Sequence, residues 1–356
     1  MRKTDVHPNL QKALDDFQLP EGDIGFGRVL APIMAECEFK NGEWQTLELK
    51  PYGPLSIDPT SKVLHYGQEI FEGMKAYNVD NHGPLLFRPT ENLKRFNLSA
   101  ERMCMPTLPE EIWMDAIIAL VRNCSKFIPK NSGESLYIRP FMFASENHLG
   151  IKPSDEFKFI VVASPSGAYF TGGSISVLIE REFVRAAPGG TGTAKTGGNY
   201  AASLKSAMKA RQVELNQSLW LDAVERKYIE ELSGMNFFAV INNELHTPEL
   251  NETILEGITR DSIINIARNE GLTVVERKIS IEELIEQIKK EECTEAFACG
   301  TAVILTPIGT FGEENGERFQ LKEQFGPVAQ LMRKRMLEIQ EGRTPDPFNW
   351  VFPVTQ

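Results

Sequence analysis

No stretch of the chain approaches the roughly 20 consecutive apolar residues that a membrane-spanning helix needs, so the sequence predicts no membrane segment. Its five cysteines, Cys37, Cys104, Cys124, Cys293 and Cys299, form no C-x-x-C pair and stand at no metal-finger spacing from the five histidines. That excludes a disulfide framework or a zinc motif, and predicts a metal-free, reduced, cytoplasmic protein. Positive charge is also in deficit. With 38 Lys and Arg against 49 Asp and Glu, the net charge of −11 argues against a nucleic-acid partner or an anionic membrane surface. No internal repeat or low-complexity tract is visible. The opening MRKTDVHPNLQKALDDFQLP carries acids and no apolar core, so it reads as neither a secretory signal nor a transit peptide.

What is present is the composition of a soluble globular protein, 42% hydrophobic and 24% charged, over a length that suggests about two domains. Behind Pro109, the residues Trp113, Ala116, Ile117, Leu120, Val121 and Cys124 recur at helical spacing. SLYIRPFMF (135–143) and FKFIVVA (157–163) are rich in β-branched and aromatic residues and predict strands. Pro, Gly and Ser then cluster, which predicts a domain of residues 1–165, an interdomain loop over 166–174 and a second domain of 175–356. The second domain is expected to be the larger and the first to supply a substrate pocket. Within the second, a helix is expected from about Asn199 to Leu215 with Leu204, Ala207, Met208 and Arg211 on one side. A hairpin is expected through Asn242–Asn243, and a capping box at Ser280-x-x-Glu283. Several strand pairs lack a crossover helix between them, so the expected class is α+β with mostly antiparallel strands.

The densest chemical signal is PGGTGTAKTGGNY (188–200), in which Lys195 stands among Gly189, Gly190, Gly192, Gly197 and Gly198. Glycine is costly in backbone entropy, so such a cluster marks a special turn or a close approach. A phosphate loop, G-x-x-x-x-G-K-[ST], is one reading; the spacing from Gly189 fits, but Ala194 stands where the loop needs glycine. On this reading the protein is a nucleotidase. The other is a Schiff-base lysine, a nucleophile toward an aldehyde when crowded and partly desolvated.

The motifs TAKTGGNYA, HYGQEIFEGMKAY (65–77), LYIRP (136–140), EELSGMNFF (230–238), LEGITRDSI (255–263) and CGTA (299–302) are the relevant ones. Together they resemble the branched-chain amino-acid aminotransferases of the larger form, from about Gly27 to the last residues. The resemblance implies the two-domain class IV fold (fold type IV) of pyridoxal-phosphate enzymes, each domain built of mostly antiparallel sheet or barrel with helices. It implies pyridoxal 5′-phosphate as cofactor and a ping-pong transfer of the amino group between leucine, isoleucine or valine and 2-oxoglutarate. It also implies a homodimer. A D-amino-acid transaminase and an aminodeoxychorismate lyase are the alternatives within the fold.

Residue roles follow from the same resemblance. Lys195 would form the Schiff base and shuttle the proton, and Tyr200 would face the ring oxygen. Glu231, five residues before Asn236, would pair with the ring nitrogen; its neighbour Glu230 is expected on a solvated face. Arg95 would bind the 5′-phosphate, helped by the helix start at Gly257, Ile258 and Thr259 and by the Thr301 hydroxyl. Thr301 and Ala302 would receive the substrate carboxylate on their backbone. Phe71, Tyr66 and Tyr137 would wall the side-chain pocket, and Arg139 would help accept the γ-carboxylate of glutamate. The glycines around Lys195 are expected to let a flat cofactor lie against backbone.

Overall fold

The computed structural model describes residues 4–168 and 173–354. The centre of the expected interdomain loop, residues 169–172, therefore lies outside the described residues. The chain divides into two compact units. The first is Met1–Tyr169 with Ala194–Gly197 and Leu337–Gln356; the second is Phe170–Thr193 with Gly198–Met336. Two segments thus group differently from the expected domains. The short run holding Lys195 and the C-terminal segment both belong with the N-terminal unit.

The first unit is built on a ten-stranded sheet. At its centre the strands Ser135–Ala144 and Phe157–Ser166 pair antiparallel over their whole length, because both are runs of β-branched and aromatic residues. Ile33–Lys40 and Met74–Tyr77 flank them, and Glu69–Phe71 adds to the Ser135–Ala144 edge. A two-residue Asn41-Gly42 turn with both φ positive (56° and 80°) sends Ile33–Lys40 back into Glu43–Trp44. The helix Glu110–Asn123 forms behind Pro109 as its spacing predicts, and buries Trp113, Ala116, Ile117, Leu120 and Val121 in the core against the sheet. A second helix, Pro89–Arg102, buries Leu93, Phe96, Ser99 and Ala100.

The second unit closes a barrel. Taken in spatial order, Ile229–Leu232, Gln217–Leu221, Ile175–Glu180, Ile304–Gly312, Cys293–Gly300 and Met235–Ile241 each pair with the next, and the last pairs with the first. Alternate residues such as Val177, Ile179, Leu219, Leu221, Phe237, Ala239, Ala296 and Ala298 fill its interior. The Asn242-Asn243 hairpin is present, with φ of 50° and 65°. Parallel pairing is more frequent than the sequence suggests. Ile175–Glu180 lies parallel to two neighbours, one of them reached through the helix Gly197–Gln212.

That helix also turns a different face inward from the one expected. Asn199, Ser203, Ser206 and Ala210 are buried, whereas Leu204 and Met208 are 64% and 63% exposed. Small polar residues let it sit close to the sheet and answer its buried groups: the Ser206 hydroxyl donates to Glu180 and meets Ser218 Oγ at 2.7 Å. Half of the capping box forms. Ser280 accepts the Glu283 N–H, but the Glu283 carboxylate turns instead to Arg277 at 2.7 Å.

Candidate functional site

Each unit carries its own group of the expected residues. In the first, the backbone of Lys195 is fixed from three directions. Its N–H donates to Ser99 Oγ (2.9 Å), its carbonyl accepts from Phe71 N–H (3.0 Å), and two residues later Gly197 N–H donates to Glu69. The Thr196 hydroxyl reaches the same Glu69 oxygen at 3.4 Å. The Lys195 ammonium lies 4.7 Å from the centre of the Phe71 ring. Burial raises the Glu69 carboxyl above its ordinary value, against the pull of these donors and of Arg139.

Beside this lysine, Glu72 is fully buried. It accepts from Arg95 Nε (2.6 Å) and Arg95 Nη2 (2.8 Å), from Asn92 Nδ2 (2.7 Å) and from Gly73 N–H (3.1 Å). Burial alone would raise its carboxyl. The Arg95 charge and hydrogen bonds, the Lys195 charge and the Asn92 bond together hold it below the ordinary value. Arg95, expected as a phosphate ligand, thus has its guanidinium plane locked bidentate onto a carboxylate that sequence reasoning missed. Only the run F-E-G at 71–73, next to the expected pocket residue Phe71, pointed toward it.

Tyr137 and Arg139 share one face of their strand, as their spacing predicts. Arg139 Nη2 donates to the Tyr137 hydroxyl (2.9 Å), and its guanidinium stacks 4.7 Å from Phe71 and 5.4 Å from Tyr137. Its Nε is buried with no hydrogen-bond partner among the described residues. Phe26 meets Tyr137 edge to face at 4.7 Å and joins the aromatic wall, which the sequence did not suggest. Tyr66 is placed differently: it is exposed, and its hydroxyl donates to the Leu149 carbonyl.

In the second unit, the five-residue spacing between Glu231 and Asn236 has a geometric origin. The two are partners across a hairpin that turns at Ser233-Gly234. Asn236 Nδ2 donates to Glu231 Oε2 (3.0 Å), and Leu255 N–H donates to Glu231 Oε1 (3.3 Å). Arg185 Nε lies 2.7 Å from Glu231 Oε1, an ion pair by distance whose N–H is not aligned as a hydrogen bond. Both side chains are buried, so the acid is held by donors alone. Arg185, ten residues before Lys195, carries no signal in the sequence that marks it as the partner of Glu231.

Tyr200 lies beside the same hairpin turn: a Cβ at Gly234 would stand 3.6 Å from its ring. A Cβ at Gly257 would fall 1.9 Å from Asn236 Oδ1, so only glycine fits there. Gly257 caps the helix Ile258–Asn269, whose first intrahelical bond runs from Asp261 N–H to the Gly257 carbonyl. The N–H groups of Ile258 and Thr259 precede that bond, so no helix carbonyl takes them. Thr301 and Ala302 lie half-buried in the turn after Cys293–Gly300, the strand paired with Met235–Ile241.

Two expectations need correcting. Glu230 is not on a solvated face; it is 3% exposed, because both faces of the barrel strand Ile229–Leu232 are covered. Among the glycines near Lys195, Gly190, Gly192 and Gly197 answer contacts within the protein, whereas a Cβ at Gly189 or Gly198 would meet no atom within 4 Å. A Cβ at Gly192 would come within 2.7 Å of Thr253 Cα and 2.8 Å of the Glu252 carbonyl.

Comparison with known proteins gives a consistent result. The family model described as amino-transferase class IV matches residues 69–311. A probable branched-chain-amino-acid aminotransferase of Streptomyces coelicolor is 45% identical over 331 residues, covering 92% of this chain and 91% of its own. Branched-chain-amino-acid transaminase 1 of Bacillus subtilis is 43% identical over 335 residues, covering 93% and 94%. Among solved structures, the branched-chain amino acid aminotransferase of Escherichia coli matches with a TM-score of 0.73 at 29% identity, over 90% of this chain and all of that one. A T.th. enzyme of the same name, complexed with N-(5′-phosphopyridoxyl)-L-glutamate, matches with a TM-score of 0.72 at 31% identity, over 90% and 98%.

Proposed function

This chain belongs to the amino-transferase class IV family, and from that premise we propose how its own residues serve the reaction. The reaction is the transfer of an amino group between leucine, isoleucine or valine and 2-oxoglutarate, in alternating half-reactions on pyridoxal 5′-phosphate. When bound, that cofactor supplies an electron-withdrawing ring that takes up negative charge from the substrate Cα. The donor set fits such a group. The first unit offers an amine on a fixed backbone and a guanidinium; the second offers a buried carboxylate surrounded by donors, a phenol beside its hairpin turn and the helix start at Gly257.

Lys195 Nζ would hold the cofactor at its aldehyde carbon and would carry the proton to and from the substrate Cα. Glu231 accepts from the ring nitrogen and favours its protonated form, since a buried cation is tolerable only beside an anion. Tyr200 donates to the ring oxygen. Arg95, oriented by Glu72, binds the phosphate together with the N–H groups of Gly257, Ile258 and Thr259 and the Thr301 hydroxyl. Thr301 and Ala302 receive the substrate carboxylate on their backbone. Phe71 and Tyr137 bound the branched side chain, while Arg139 accepts the γ-carboxylate of the second substrate; its orphaned buried Nε supports that role.

The observation that carries this reading is the three-way fixation of the Lys195 backbone, with its ammonium held over the Phe71 ring beside the buried Glu72. Incubating the purified protein with leucine and 2-oxoglutarate tests it. Glutamate and the branched 2-oxo acid should accumulate, and Lys195→Ala should abolish both. ATP hydrolysis without transamination would overturn it.

We also propose that the protein works as a homodimer in the cytoplasm. The exposed Leu204 and Met208 support an apolar contact, and five cysteines without a disulfide support a reducing compartment.

A further inference from the structure

The strand Ile229–Leu232 carries a second carboxylate directly before Glu231, and both are buried. Glu230 Oε1 accepts from the Thr253 hydroxyl, which also reaches Asn251 Oδ1 at 2.7 Å. Its other oxygen is buried and has no hydrogen-bond partner among the described residues. A half-satisfied buried carboxylate is expensive and does nothing for folding that an apolar side chain would not do better. Something other than stability is therefore needed to account for it.

The connection runs through Arg185. The Thr253 carbonyl accepts from Arg185 Nη2, as does the Gly192 carbonyl at 2.9 Å, while Arg185 Nε pairs with Glu231. Two buried acids thus lie on one buried arginine. Other charged groups stand around Glu230. Asp222 spends both oxygens on the N–H groups of Val224, Glu225, Lys227 and Tyr228, and Glu252 accepts from Gly189 N–H. Lys278 stacks over Tyr228 at 5.3 Å, and the remaining wall of the 270 Å³ cavity beside Glu230 brings in Glu225 and Glu249.

We propose that Glu230 is a positioning residue for the cofactor acid: through Thr253 and Arg185 it supplies the second negative charge that lets Glu231 hold a protonated ring nitrogen. The inference rests on the assignment of Glu231 made above. A protonated ring would add a cation beside these two acids. The Glu230 carboxyl itself is pushed up, chiefly by burial and further by Asp222, against the Thr253 bond and the Arg185 charge. Its contribution is therefore lost as pH falls, at a pH above the ordinary glutamate range.

The test compares the wild-type holoenzyme with Glu230→Gln and Thr253→Val. The readouts are kcat/KM for leucine against pH, the pH dependence of the cofactor's visible absorption, and the cofactor dissociation constant. In the wild type an acidic limb should appear above the ordinary glutamate range. Glu230→Gln should abolish that limb and move the alkaline limit of the visible band down by about 1 pH unit, the size of a neighbouring buried charge. Thr253→Val keeps the backbone carbonyl on Arg185 but removes the hydroxyl from Glu230, so it should move the acidic limb to higher pH. Coincident profiles for wild type and Glu230→Gln, with cofactor bound in both, would overturn the proposal and leave the aminotransferase reading intact. A wild type whose visible band does not respond to leucine would overturn that reading itself.

Discussion

Removing the charge of Glu72 is the most informative single perturbation of the lysine-bearing unit. Glu72→Gln preserves shape and one acceptor oxygen, but it leaves Arg95, only 9% exposed, with no carboxylate against its Nε and Nη2. Breaking a buried pair in this way costs about 3–5 kcal/mol, because an uncompensated charge stays inside. Set against a typical stability of about 5–15 kcal/mol, that is a large fraction. In urea, where stability falls by about 1–3 kcal/mol per molar, the midpoint of the first unit should drop by more than about 1 M at fixed cofactor concentration. The double variant Glu72→Gln/Arg95→Met removes both charges and should recover most of the loss. The pH dependence has a definite sign. The Glu72 carboxyl is lower in the folded state than its ordinary 4.5, so its contribution is complete above pH 4.5 and fades as pH falls through the depressed folded value. Wild type should therefore lose stability below pH 4.5 more steeply than the variant. A loss under about 1 kcal/mol at neutral pH, or no recovery in the double variant, would refute the buried-pair account.

Two further outcomes follow from the geometry. Gly192→Ala places a Cβ within 2.7 Å of Thr253 Cα and 2.8 Å of the Glu252 carbonyl, where backbone must move, and should cost about 1–3 kcal/mol by thermal or urea unfolding. Because Gly192 also accepts from Arg185, cofactor affinity should weaken with it. Leu204→Glu with Met208→Glu puts charge on the exposed apolar face of the helix Gly197–Gln212 and should shift sedimentation from dimer to monomer; an unchanged sedimentation coefficient would remove this face from the interface.

Where local pattern and local structure coincide, the sequence was readable. The helix Glu110–Asn123 declared itself by period and by Pro109, and the hairpin at Asn242–Asn243 by residues that tolerate positive φ. The spacing of Glu231 from Asn236 was usable without its cause, which is a register pairing across a two-residue turn. Three things escaped because they are not local. The run around Lys195 belongs with the first unit through bonds to Ser99 and Phe71, about a hundred residues away, which no window of sequence displays. The inward face of the helix Gly197–Gln212 is made of small polar residues, so a search for apolar periodicity selected the outward face. Strand alternation places Glu230 toward solvent, a rule that fails where both faces of a strand are covered. Arg185 and Glu72 are second partners of recognisable residues, and only the folded contacts reveal them.

The central claim is that Lys195, and no other lysine, holds the cofactor. Borohydride reduction of the yellow holoenzyme, followed by proteolysis and mass mapping, tests it directly. A phosphopyridoxyl adduct on the peptide containing Lys195 is the expected result. An adduct on another lysine, such as the buried Lys75, or no adduct on a protein that still transaminates, would contradict it.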